Sequence, residues 1–542
     1  MFRSGDQGCG VMPFLSIRFR WVVLSSLLLL SLPGILFLAG WFEWYVSLPL
    51  IVGSAIGIGK VVALCRSWSW DLSKTDVLKL LLVFLLILLH QLTVGYTGHV
   101  LQHGDFWQRN AFYGNLISYA WPIILPDGSE MMYYLSGWLP AALICKLLAH
   151  LGVDVNCTWG APGYVLLLWN LATLFMAALF LFRLLGKVSI SALLWVYIFG
   201  GIMVFLSKLP VLSGWLQVLP ETRIAPVYWN LAAGLPGSVH ILPYTALGAV
   251  MILMRNWPFW VYFLLGAFLF LITPLGAVGA FPFVIYQAWA SLKEWRSLNK
   301  HWVFHVVHCG YFYLAVALCA AGVVYFARAE SSSCFWSFHV DSRPSAWLVY
   351  CIYLVINIFV VSYLPWKCDK KNPFLHVAWL TLCVLPLFYM GDIFNELPMK
   401  AATVPVVVLA VLWCSSFFQC RSALRDPIVW VIVCVFCLKF AGHLWNRVPL
   451  VVKSFGHTEY NVVDPFHGHL YHPGTCLNQS VRPTREPMLP HVLLRTAGAS
   501  EKGVLFWVQT LPSNKYFTAP YTERAGCKHL GAPVPNQPRF VR

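Results

Sequence analysis

Runs of apolar residues of membrane-crossing length recur along almost the whole chain. A bilayer core about 30 Å thick needs about 20 apolar residues in helical form to cross it. Thirteen segments approach or meet that length: 21–40, 45–65, 77–97, 163–182, 188–207, 239–254, 258–272, 275–292, 303–326, 346–364, 374–390, 401–419 and 427–444. No soluble fold of 542 residues hides this much apolar surface. The chain is 59% hydrophobic and 11% charged, where a soluble chain carries about 25% charged residues. The 26 Trp suit the wet edge of a bilayer. The first run is longer than a signal-peptide core and lacks a small-residue cleavage site, so it reads as an uncleaved span.

A further apolar stretch, 133–151, decides the topology. If it does not cross, strict alternation puts 18 Lys and Arg on one side (among them Arg18, Arg20, Arg66, Arg183, Lys187, Arg255, Lys367 and Arg425). Only 7 fall on the other side before the last run ends: Arg109, Lys146, Lys208, Arg223, Arg328, Arg343 and Lys400. Basic residues stay in the cytoplasm, so the N-terminus is expected there and the C-terminus outside. Letting 133–151 cross would break this bias on one side of it. The segment is therefore expected to lie along the outer surface, with Lys146 and His150 interrupting its apolar face. The expected architecture is all-α and polytopic, with about 13 transmembrane helices. It divides into residues 1–76 with two leading spans, a transmembrane core over 77–444, and a small extracytoplasmic segment over 445–542.

The net charge of +16 is accounted for by the basic cytoplasmic face. No basic cluster sits on a polar element with interleaved aromatics, so nucleic acid is not an expected partner. The 16 Cys are scattered, often inside apolar runs, and no CxxC motif occurs. The short cytoplasmic loops carry no phosphate-binding motif, which argues against nucleotide-driven chemistry there.

Chemistry is expected outside. The first outer loop, 97–162, is long for a connection and carries His99, His103, Asp105 and Arg109 just past a span. Asp105 is placed to act as a general base, or as a ligand should a divalent metal be used. His103 and Arg109 flank it as substrate contacts; a solvated polar loop is the plainer account of these residues. The second outer loop, 208–238, contains Arg223, whose planar fork suits a phosphate. The third, 391–400, gathers Asp392, Asn395, Glu396 and Lys400 within nine residues. Asp392 and Glu396 are candidate substrate contacts, and Lys400 can neutralise a phosphate. In the tail, Cys476 and Cys527 are the two cysteines beyond the last run, and an oxidising compartment would pair them.

The first loop resembles that of the C-type (GT-C) glycosyltransferases, polytopic enzymes that use polyprenyl-phosphate sugars. Asp105, between His103 and Trp107, occupies the position of their acidic residue, and 133–152 is similar to their surface helix. Segments 271–282 and 391–405 are similar to parts of bacterial membrane proteins built on the same plan. The chain departs from the family in its two leading spans and in lacking a second acid directly beside Asp105; Asp127 and Glu130 are candidates for that role. The resemblance implies transfer of a sugar from a polyprenyl-phosphate donor to a glycan or lipid acceptor at the outer face of a cell (inner) membrane. No cofactor is required by it, and a divalent metal stays open. In that reaction Asp105 deprotonates the acceptor, while Arg223 or Lys400 stabilises the departing lipid phosphate. Two other classes compete: a multispanning transporter or flippase, and a polysaccharide polymerase or ligase. Spans with few ionisable residues (His90, His305 and His308 are the exceptions) weigh against ion-coupled transport.

Overall fold

A computed structural model describes residues 14–94, 113–114, 116–117, 119–123, 134–153, 155, 161–199, 242–298, 302–327, 337–338, 350–352, 354–389, 396–420 and 422–456. The architecture is helical, with two short antiparallel ladders. The helices are α1 (Phe19–Trp41), α2 (Trp44–Leu64), α3 (Lys74–Val94), α4 (Leu139–His150), α5 (Ala161–Leu185), α6 (Ile190–Ile198), α7 (Leu242–Leu253), α8 (Phe259–Ile272) and α9 (Pro274–Leu298). They continue with α10 (Trp302–Ala327), α11 (Val361–Cys368), α12 (Pro373–Val384), α13 (Glu396–Ala401), α14 (Thr403–Gln419) and α15 (Pro427–Gly456). A π-helical stretch, Leu354–Val360, leads into α11. Strand β1 (Leu15–Arg18) pairs with β2 (Ser69–Leu72), and β3 (Ser337–Phe338) with β4 (Phe388–Tyr389).

Every expected apolar segment contains helix. Among the described residues, seven helical segments are long and apolar enough to cross a membrane, and shorter apolar helices accompany them. The last helix runs past the expected edge at 444 to Gly456. The rest of the tail, including Cys476 and Cys527, lies outside the described residues, as do Asp127 and Glu130.

Helix α7 forms the centre. Of its twelve residues only Ala246 is not fully buried, and α1, α5, α8, α9 and α14 surround it. Helix α1 also belongs to this interior, since it packs on α2, α4, α5, α7 and α8. Pro274 follows the Thr273 turn, so α8 and α9 form a tight hairpin. The Thr273 hydroxyl accepts from the Gly276 amide at 3.1 Å.

The two ends of the bundle differ in charge. At one end the aromatic series Phe180, Phe19, Trp68 and Trp257 ties together the ends of α5, α1 and the segments preceding α3 and α8. Arg183, Lys187, Arg255 and Lys367 gather there, each against an aromatic ring. Four of the helices that start at this end are capped by polar side chains, which satisfy amides that have no partner within the helix. Ser73 and Asp76 bond reciprocally at the start of α3, Ser189 accepts from Ala192, Asn372 from Phe374 and Asp426 from Ile428. Hydrogen bonds from Lys367 and Tyr363 hold the Asp426 carboxyl down at about 2.

Candidate functional site

The opposite end is built around the segment that the charge pattern predicts not to cross. Helix α4 has 12 residues, roughly 18 Å at 1.5 Å per residue, a length it shares with α7 and α12, so its contacts rather than its length set it apart. Both ends of the segment are tied to the same end of the bundle. At its start, the Ser136 hydroxyl donates to the Leu271 carbonyl at 2.5 Å, where α8 ends. The Gly137 carbonyl accepts from the Tyr244 phenol at 2.5 Å, and Trp169 donates to that phenol at 2.7 Å. Near its other end, Cys145 touches the Tyr113 hydroxyl, which donates to the Pro162 carbonyl at 3.2 Å, where α5 begins. Leu139, Ala141, Ala142 and Cys145 face the bundle, while Ile144, Leu147 and Leu151 are exposed. A helix apolar on its outer face too is suited to the acyl boundary of a membrane.

Lys146 projects from α4 onto the upstream loop. Its ammonium donates to the Tyr119 carbonyl at 2.5 Å and lies 5.4 Å from the centre of the Trp121 ring. Trp121 stacks in turn on Trp41 at the end of α1. Burial lowers the Lys146 amine from its ordinary 10.5 to about 8.

Lys400 is the second cation of this end. It sits in α13 and is only 3% exposed. Its ammonium donates to the phenol oxygen of Tyr134 and lies 5.0 Å from the centre of that ring. The position of α13 is set by an unusually close backbone approach. A methyl group added at Gly279 of α9 would meet the Ala401 carbonyl oxygen at 1.7 Å, so only glycine permits this contact. Thr403 opens the next helix, α14, and its hydroxyl is buried with no hydrogen-bond partner among the described residues.

Of the residues singled out in sequence, Lys400 is therefore placed, and Tyr134 is brought to it from the first loop. Glu396 is the first residue of α13. His103, Asp105, Arg109, Arg223 and Asp392 lie outside the described residues. Among the described residues no cluster of three or more His, Cys, Asp or Glu could hold a metal ion. Sequence reasoning did not single out Tyr134 or Thr403. A tyrosine beside an interfacial helix and a threonine opening a span are ordinary at those places, and nothing local ties either to Lys400.

Between the two ends, α3, α5, α6, α7 and α14 border an open groove. Its walls are apolar, with Ile87, Leu242, Val250 and Val407 among them, and His90 and Tyr197 supply its polar groups. The His90 ring stacks obliquely on Tyr197 at 4.6 Å.

Comparisons with protein-family models, with curated proteins and with solved structures find no match for this chain.

Proposed function

We propose that the protein is an integral membrane glycosyltransferase that moves a sugar from a polyprenyl-phosphate donor to a glycan or lipid acceptor at the outer face of the membrane. The observation that carries this reading is the Tyr134–Lys400 contact. It joins the first and third outer loops beside a helix whose two ends are tied to the same end of the bundle. An ammonium bonded to a phenol oxygen presents N–H and O–H donors suited to a phosphate oxygen. In this reading the basic end faces the cytoplasm, all thirteen apolar segments cross, and the C-terminus is external. Asp105 removes the proton of the acceptor as it attacks the anomeric carbon. Lys400 and Arg223 stabilise the lipid phosphate as it leaves, a charge that forms only along the reaction and is therefore worth stabilising. His103, Arg109, Asp392 and Glu396 contact donor or acceptor. Cys476 and Cys527 form a disulfide in the external tail. A divalent metal is compatible with Asp105 but is not required.

The groove favours a second reading, a carrier or flippase of lipid-linked glycans, because its apolar walls lie within the bundle. The two readings separate in proteoliposomes supplied with polyprenyl-phosphate sugars and examined by mass spectrometry. Loss of donor with appearance of glycosylated acceptor and free polyprenyl phosphate supports the transferase. Movement of unaltered donor between leaflets, with no product formed, supports the carrier.

A further inference from the structure

We propose that Cys368 and Cys420 form a reversible redox site, a thiol pair that closes to a disulfide and fastens the end of α11 to the end of α14. Cys368 is the last residue of α11, and Cys420 directly follows α14. The Cys368 thiol is in hydrogen-bond contact with the Cys420 thiol and with the Ser416 hydroxyl, one turn earlier in α14. A separate contact fixes the same register. At the start of α11, the Val361 carbonyl accepts from the Trp413 indole of α14. From there the chain runs 368 − 361 = 7 residues to one thiol and 420 − 413 = 7 to the other, two turns in each helix. The helices therefore run parallel here, and their packing itself brings the thiols together.

The pair is also reachable. Cys368 and Cys420 are half-buried at the basic end, whereas Cys65, Cys145 and Cys414 are buried. The Cys420 thiol lies 3.6 Å from the Ser422 hydroxyl beyond the helix. Helix α11 is already held to the start of α15, because Lys367 and Tyr363 both bond Asp426. A bond at Cys368 would add α14, which borders the groove through Val407 and Val411, to that junction. The oxidant is a low-molecular-weight disulfide. One cysteine gives its proton to water and attacks, expelling one small thiolate. The second cysteine, deprotonated in turn, attacks the protein sulfur of the mixed disulfide and expels the other. The protein loses two electrons and two protons, and the small disulfide becomes two thiols. In a reducing compartment the pair stays as thiols. Neither the reaction at the other end nor the orientation of the bundle enters this inference.

The test treats full-length protein in detergent with oxidised glutathione, blocks remaining thiols by alkylation, and maps peptides by mass spectrometry. The peptides carrying Cys368 and Cys420 should become joined, and dithiothreitol should release them from the folded protein. The joined form should have the higher thermal midpoint, since the bond closes 420 − 368 = 52 residues. Cys420→Ser should lose both the joined peptide and the shift. Cys434→Ser with Cys437→Ser removes two exposed thiols of α15 and should keep both. If Cys420→Ser does not fold, the wild-type map still decides: Cys368 and Cys420 both alkylatable after oxidation would overturn the site. Cys368 joined as readily to other cysteines would overturn the pairing. A joined peptide without a shift would overturn the fastening of α11 to α14, and one released only after denaturation would overturn its reversibility.

Discussion

Lys400 and Tyr134, 266 residues apart in the chain, meet at the end of the bundle opposite its basic face. The lysine is buried, and the tyrosine immediately precedes the turn that begins the surface segment. Through this pair α13 rests on the residues that lead into α4.

If this pair holds the leaving phosphate, the two side chains contribute unequally. Lys400→Met should reduce transfer from a polyprenyl-phosphate sugar by about 10²–10³ in kcat, the usual loss when a charge-stabilising donor is removed. Tyr134→Phe should cost less, because the ammonium stays. Steady-state kinetics in proteoliposomes measure both. A Lys400→Met enzyme with wild-type kcat would remove Lys400 from the reaction.

Asp105 is the expected base. Asp105→Asn should insert normally and lose about 10²–10⁴ in rate, the range of general-base catalysis. Single-turnover transfer by purified protein gives the answer, and wild-type turnover would end the assignment.

Lys146 makes stability depend on pH. Burial holds its amine at about 8, against 10.5 when exposed. Below about 8 both folded and unfolded chains carry the proton, and the cost of burying the charge is fully present. Between about 8 and 10.5 the unfolded chain binds more protons, so this group makes stability rise with pH. Lys146→Met removes that dependence. The thermal midpoint of wild type relative to Lys146→Met should therefore climb on going from neutral pH to pH near 10. A constant difference would mean that Lys146 titrates as it does in solvent.

Gly279 sets the spacing of α9 and α13. Gly279→Ala forces the Ala401 carbonyl away and should destabilise by about 1–3 kcal/mol, the usual penalty for overpacking. Transfer activity should fall as well, because Lys400 precedes Ala401. A thermal midpoint within error of wild type would show that the two helices separate without cost.

Topology is testable by reporter fusions. Fusions at positions 150 and 460 should report the external side, and one at 298 the cytoplasm. Non-reducing peptide mapping of protein from an oxidising envelope should find Cys476 joined to Cys527, closing 527 − 476 = 51 residues. In the chain-entropy model this stabilises by about 4 kcal/mol. Alkylatable thiols at both positions in folded protein would argue against the disulfide and against an external tail.

Much of the architecture was legible before any coordinates. Hydropathy located the helices because each apolar run contains one, and seven helical segments among the described residues are long and apolar enough to cross a membrane. Charge predicted that the 133–151 segment stays on one side, since alternation through it would have scattered Arg183, Arg255 and Lys367 away from Arg18. These are local properties measured against a slab of solvent, and they need no knowledge of which helices touch.

Contacts between helices were not readable in this way. The spans are apolar around most of their circumference, so no periodic stripe marks the face that packs on protein rather than lipid. Only the tertiary structure puts α1 in the interior, although it had the look of an added leading span. It also sets the Gly279 backbone against Ala401, a matter of shape that hydropathy does not encode. The tertiary structure likewise turns Lys146 from an interruption of an apolar face into a tether to the Tyr119 carbonyl. It brings Lys400 to Tyr134 and sets Arg183 against Phe19. Each of these depends on which side chains residues far apart in the chain present to one another, and that is decided when the helices pack.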